Sequence, residues 1–139
     1  KKVLTNSKFY FSYCNQSNYK LKLNNSKLQQ IERAKKVALY ETVDAIKTDV
    51  VQSQVMPFDT GTMQNESTYV ALSKDGKKAS LITNTPYARR LYYHPEYNFQ
   101  KTNNPHAQGK WLEDYISGSK KGFAKQQFEK FFEENAKWI

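Results

Sequence analysis

Leu28, Ile31, Ala34 and Ala38, followed by Leu39, Val43, Ile46 and Val50, recur at intervals of three and four residues. At 3.6 residues per turn such positions share one stripe, so the segment should fold as a long amphipathic helix with that stripe against a core. Its start is marked by Ser26 and, three residues later, Gln29, the spacing of a capping box in which side chains satisfy free backbone amides. Pro57 ends the pattern, because the residue before a proline is pushed out of helical geometry. The spacing predicts a helix over 26–53 as the backbone of the fold. A chain of 139 residues leaves room for a single domain, 1–139, around it.

The other segments are shorter. In the N-terminal extension, 1–24, KFYFSYC and YKLKL alternate apolar and polar residues as half-buried strands do. PFDTGTM reads as a structured turn on Pro57, Asp59, Thr60 and Gly61, with Gly61 free to take a positive φ. STYVALS and KASLITN flank Asp75-Gly76, which predicts a hairpin over 67–84 closed by a type I′ turn. Thr85-Pro86 offers a cap followed by proline at the first helical position, and Pro95 closes the room for about two helical turns. The stretch 94–109 holds two prolines and three asparagines and no period, so it reads as a long loop of the functional or mobile kind. Trp111 with Tyr115, and Leu112 with Ile116, are four apart on a short helix ending by Gly118. A last helix over 120–136 carries Ala124, Phe128, Phe131 and Phe132 on one side and packs on the domain or on a neighbour. The fold expected is α+β: one long helix on a small antiparallel sheet with a β-hairpin, short helices and a C-terminal helix.

The formal charge of +9 favours polyanions or an acidic protein face as partners, although lysines scattered from Lys1 to Lys137 are also the mark of a solvated surface. The single Cys14 excludes an intramolecular disulfide framework, and reads as a small buried side chain in a protein folded in a reducing cytoplasm. KFYFSYC is too short for the apolar core of a secretory signal, and no window resembles a membrane span. The chain opens on Lys1, so its numbering need not start at the natural first residue.

Little of the sequence suggests catalysis. His94 and His106 have no zinc spacing, the glycines at 61, 76, 109, 118 and 122 never cluster into a phosphate loop, and no Gly-x-Ser-x-Gly elbow is present. Neither a metal nor a cofactor nor a small-molecule substrate is expected. The stretch TPYARRLYYHPEYNF, Thr85 to Phe99, concentrates four tyrosines, two arginines and a histidine. Arg89, Arg90, Tyr93 and His94 have the residue types of a metal-free ribonuclease, but on a helix they point in several directions and lack a second histidine. Nucleic-acid binding fits better, since bases stack on tyrosine and arginine meets phosphate, yet no recognised binding module appears.

Taken together, PFDTGTM, the hairpin and NTPYARRLYYHPEYNFQKTNNPHAQGKW resemble the minor capsid proteins of tailed bacteriophages and prophages of Gram-positive bacteria. The resemblance runs in one order from Val55 to about Tyr115. It rests on Pro57, Asp59, Thr60, Gly61 and Met63; on Thr85 to Tyr92; and on Pro95, Tyr97 to Phe99, Asn104, Pro105, Ala107 and Trp111. It implies an α+β structural protein of the virion's head-to-tail connection, of neck or tail-completion type, made in the host cytoplasm. Such a protein would form a ring of its own copies between portal or connector and tail tube. The extension up to Asn24 departs from the family, whose members often begin with a short strand before the long helix. On this reading Tyr87, Ala88, Leu91 and Tyr92 anchor the short helix to the core. Arg89, Arg90, Tyr93, His94, Tyr97 and Phe99 would make the contacts to other subunits or to the connector, tyrosine and arginine being types that concentrate binding energy. Some lysines would meet acidic neighbours or DNA in the neck.

Overall fold

A computed structural model describes residues 22–139 in full and, before them, the backbone pairing of residues 2–5 and 8–11. The fold is α+β: a long helix packed on a small two-stranded antiparallel sheet, with short helices and a C-terminal helix. In the N-terminal extension, β1 (Lys2–Thr5) pairs antiparallel with β2 (Lys8–Phe11), Lys2 opposite Phe11. The strand expected from KFYFSYC is therefore realised over Lys8–Phe11, with an upstream partner that the alternation in the sequence had not marked. Of the YKLKL segment, residues 19–21 lie outside the described residues, as does Cys14, while Lys22 and Leu23 belong to no strand.

Helix α1 spans Asn25–Gln52. Its cap is Asn24, not Ser26: Asn24 has extended backbone angles and its Oδ1 accepts the Lys27 amide at 3.2 Å. Ser26 already lies inside the first turn, where it cannot play that part. The helix also ends well before Pro57. The Ser53 amide donates to the Asp49 carbonyl at 2.9 Å, and Gln54 takes a left-handed φ of 55°, which turns the chain out of the helix. Leu28 is exposed, so the apolar stripe engages the rest of the molecule only further on, where Ala34, Ala38, Thr42 and Val50 are buried.

The chain then makes one wide helical turn, Thr62–Glu66, closed by the Ser67 amide on the Thr62 carbonyl at 2.9 Å, and enters the hairpin. Strands β3 (Thr68–Leu72) and β4 (Ala79–Thr83) pair in the expected place, Thr68 opposite Thr83 and Leu72 opposite Ala79. The connection is not the two-residue type I′ turn. It runs over Ser73–Lys78, and only Gly76 has a positive φ, at 68°. Side chains hold it instead: Asp75 Oδ1 accepts from Ser73 Oγ at 2.5 Å and from the Lys77 amide at 3.0 Å. Ser73 Oγ in turn accepts the Lys78 amide at 3.0 Å.

Three helices follow: α2 (Ala88–Tyr93), α3 (Glu113–Ile116) and α4 (Phe123–Ala136). Thr85 does not cap α2. Tyr87 stands at that position without a side-chain bond, and the Thr85 hydroxyl is the one buried side-chain polar atom without a partner among the described residues. Trp111 and Leu112 precede α3 in a turn that begins at Lys110, whose φ is 48°. Helix α4 lies antiparallel along α1, with Lys120 at Asp49, Asn135 at Glu41 and the C-terminal Ile139 at Lys27. The core sits at the far end of α1, where Val50, Met56, Met63, Ala88 and Trp111 are buried together with Ile46, Leu91, Tyr92 and Tyr115 against them.

Candidate functional site

The segments that carry the resemblance are far apart in sequence and adjacent in space. Gly61 is buried with a φ of 87°, and a Cβ there would lie 2.8 Å from Phe58 Cζ and 2.9 Å from Asn65 Nδ2. The positive φ favours glycine at that turn, and any Cβ would also force the Phe58 and Asn65 side chains to shift. Pro57, Asp59, Thr60 and Gly61 line a cleft of about 380 Å³ together with Tyr87, just before α2, and Leu91 within it.

The loop 94–109 is pinned to this body. Asn104 is buried, and its Nδ2 donates to the Met56 carbonyl at 2.8 Å and to Gln64 Oε1 at 2.9 Å. The Gln108 amide donates to the Val55 carbonyl at 3.0 Å and the Lys110 amide to the Tyr92 carbonyl at 2.9 Å. Gly109 passes Pro95 so closely that a Cβ would sit 2.7 Å from its Cα. These bonds draw an aperiodic segment into the core: Ala107 is buried, and Trp111, 5% exposed, meets Tyr92 edge to face at 4.9 Å. The sequence reads this loop as functional or mobile; in the structure Asn104 holds it to partners some 40 or more residues upstream. An Asn-Pro pair was the one local signal, and it marks the turn in which the Ala107 amide bonds the Asn104 carbonyl at 3.1 Å.

On the outer side, α2 and the start of the loop make an aromatic and basic surface. Arg90 Nε donates to the Tyr97 hydroxyl at 3.2 Å, with its guanidinium 5.5 Å from the ring centroid. The His94 ring stacks on Tyr97 at 4.8 Å with the planes 7° apart, and Phe99 follows at 6.4 Å. His94 Nδ1 meets Glu96 Oε1 at 2.6 Å, and that hydrogen bond holds the Glu96 carboxyl below the usual carboxylate range. Arg89 is exposed, Tyr93 is 62% exposed, and no carboxylate pairs with either arginine among the described residues. Of the four expected anchors, Ala88 is buried and Leu91 and Tyr92 pack on the core. Tyr87 does not: it is 45% exposed at the rim of the cleft, because α2 starts only after it.

Chemically this surface can stack, donate and carry charge. The four groups of the ribonuclease reading, Arg89, Arg90, Tyr93 and His94, border an open concavity with Pro86, and one ring nitrogen of His94, Nδ1, is engaged by a carboxylate. Among the described residues no three histidine, cysteine or acidic side chains gather as metal ligands, and no helix is long and apolar enough to cross a membrane.

A second cluster escaped the sequence. Asp49 Oδ2 accepts from Lys120 Nζ at 2.5 Å and from the Tyr115 hydroxyl, joining α1, α3 and the turn that leads into α4. Burial raises the Asp49 carboxyl, but the bonds from Lys120 and Tyr115 and the Lys120 charge outweigh it, and its pKa falls below the usual value. Burial and that same carboxylate push the Tyr115 phenol up. Its members are separated by up to 71 residues, so no local pattern marks it.

Comparison with family models, curated proteins and solved structures finds no match.

Proposed function

We propose that this protein is a structural component of a phage head-to-tail connection that assembles as a ring of identical subunits between the portal or connector and the tail tube. One observation carries the reading. The turn at Pro57–Met63, helix α2 and the pinned loop form one hydrogen-bonded body, so the segments that resemble minor capsid proteins are a single spatial unit. That body leaves Arg89, Arg90, Tyr93, His94, Tyr97 and Phe99 along its outer edge, with Arg90, His94 and Phe99 each against Tyr97. Preordered arginine and aromatic side chains lose little freedom on contact, which favours a heterologous interface that closes by rotation. The role is binding, with no catalysis, cofactor or membrane in it.

Replacing Arg89 and Tyr93 together by alanine should leave the monomer folded and weaken assembly on the cognate connector. Residues of this kind at the centre of an interface contribute about 2 kcal/mol or more each, and every 1.4 kcal/mol is about tenfold in affinity. Light scattering on the protein, alone and with connector, reads the result. Ring formation unchanged in the double variant would sink the assignment of this surface.

A further inference from the structure

The connection between β3 and β4, the tip of the hairpin, carries three lysines, and a fourth from α1 lies over it. Lys74, Lys77 and Lys78 belong to the connection itself and are exposed. Lys36 joins them from α1, because its side chain lies across Gly76. A Cβ on Gly76 would fall 2.2 Å from Lys36 Cε and 2.6 Å from its Cδ and Cγ. The absence of a side chain at residue 76 leaves room for the Lys36 stem to lie over the hairpin connection that carries Lys74, Lys77 and Lys78.

The one carboxylate at the tip is turned to internal use. Asp75 Oδ1 accepts from Ser73 Oγ and the Lys77 amide, and these hydrogen bonds hold Asp75 in its charged form. Among the described residues no carboxylate oxygen lies within 4.0 Å of any of the four lysine nitrogens, as is also true of Lys121 and Lys137 elsewhere on the surface. Asp75 offsets part of the Lys77 charge, the remaining like charges repel, and a bound polyanion reduces that cost.

We infer that this tip binds the phosphate backbone of duplex DNA. Lysine is depleted at protein interfaces, where arginine and aromatic residues dominate, but it serves well as a point charge for phosphate. The two surfaces of this protein divide in that way: arginine and tyrosine around α2, lysine at the hairpin tip. The tip itself, Ser73–Lys78, has no aromatic ring on which an unpaired base could stack, so the contact is to a duplex backbone and is indifferent to sequence. It holds whether or not the chain closes into a ring.

The test is the affinity of the whole protein for a random-sequence duplex as a function of salt. Each phosphate neutralised contributes about −0.9 to the slope of log K against log salt, so four contacts weaken binding on the order of a hundredfold between about 50 and 200 mM. The triple variant K74Q/K77Q/K78Q should lose about 2 to 3 units of that slope. A control triple of equal charge, K121Q/K125Q/K137Q, should keep it. Circular dichroism checks that both remain folded. Equal loss in the two variants, or none in the tip variant, overturns the assignment. So does tighter binding of single-stranded DNA, or binding of polyglutamate in place of DNA, the latter pointing to an acidic protein partner.

Discussion

The loop 94–109 and helix α4 invert the usual relation between regularity and burial. The loop has no repeating structure, yet it buries Asn104 and Ala107 and leads into Trp111 at the centre of the core. Helix α4 is regular over fourteen residues and has none that is fully buried; Phe128, Phe131 and Phe132 are each half-covered along α1. Past its end Trp138 is 88% exposed. A helix satisfies its backbone by itself and can rest on a neighbour by one face, while an aperiodic segment must find partners for every amide it buries. The loop found them at Val55, Met56 and Tyr92, and so became part of the structural centre.

If that contrast is right, the two regions respond differently to substitution. The largest loss should come from Trp111→Ala, which empties the core under the loop and costs about 3–5 kcal/mol by chemical denaturation. A loss below 1 kcal/mol would mean that Trp111 packs less tightly than its contact with Tyr92 implies. Asn104→Ala should cost about 1–3 kcal/mol, since it leaves the Met56 carbonyl and the Gln64 amide oxygen buried without their donor. Hydrogen exchange should then show the loop amides of Gln108 and Lys110 opening while those of α4 stay protected. If both regions open together, they are one cooperative unit.

The smallest effect belongs to the α4 side and depends on pH. The Asp49 carboxyl is lowered in the folded protein, so the stability it contributes is present above its ordinary value of 3.8 and is lost as pH falls through the folded-state value. Acid titration of the wild type should show this loss below about pH 4, and Asp49→Asn should flatten that part of the curve. An identical acid curve for the variant would show that the contact with Lys120 and Tyr115 leaves stability unaffected.

Much of the scaffold was legible in the residues. The spacing from Ile31 to Val50 marked the long helix, Asp75-Gly76 between two alternating runs marked the hairpin, and the phenylalanines of the last segment marked α4 with its inward face. The ends of the long helix fell within one residue of the expected 26–53, but on other signals than those named. Asn24 capped in place of Ser26, and the left-handed Gln54 ended the helix ahead of Pro57. Of the candidate surface, residue types were visible at once, but the stacking of His94 on Tyr97 and its link to Arg90 depend on a turn that no periodicity describes.

Sequence alone thus determined the long helix, the β3–β4 hairpin, the last helix, and where aromatic and basic side chains concentrate, because those properties follow from neighbours within a turn or two. Tertiary structure alone decided that an irregular loop is core, that Asp49 ties Tyr115 and Lys120 to α1, and that Lys36 lies over Gly76 beside three other lysines. Each of those outcomes depends on hydrogen bonds or close approach between residues some 40 or more positions apart, and their partners are chosen only once the chain has closed on itself.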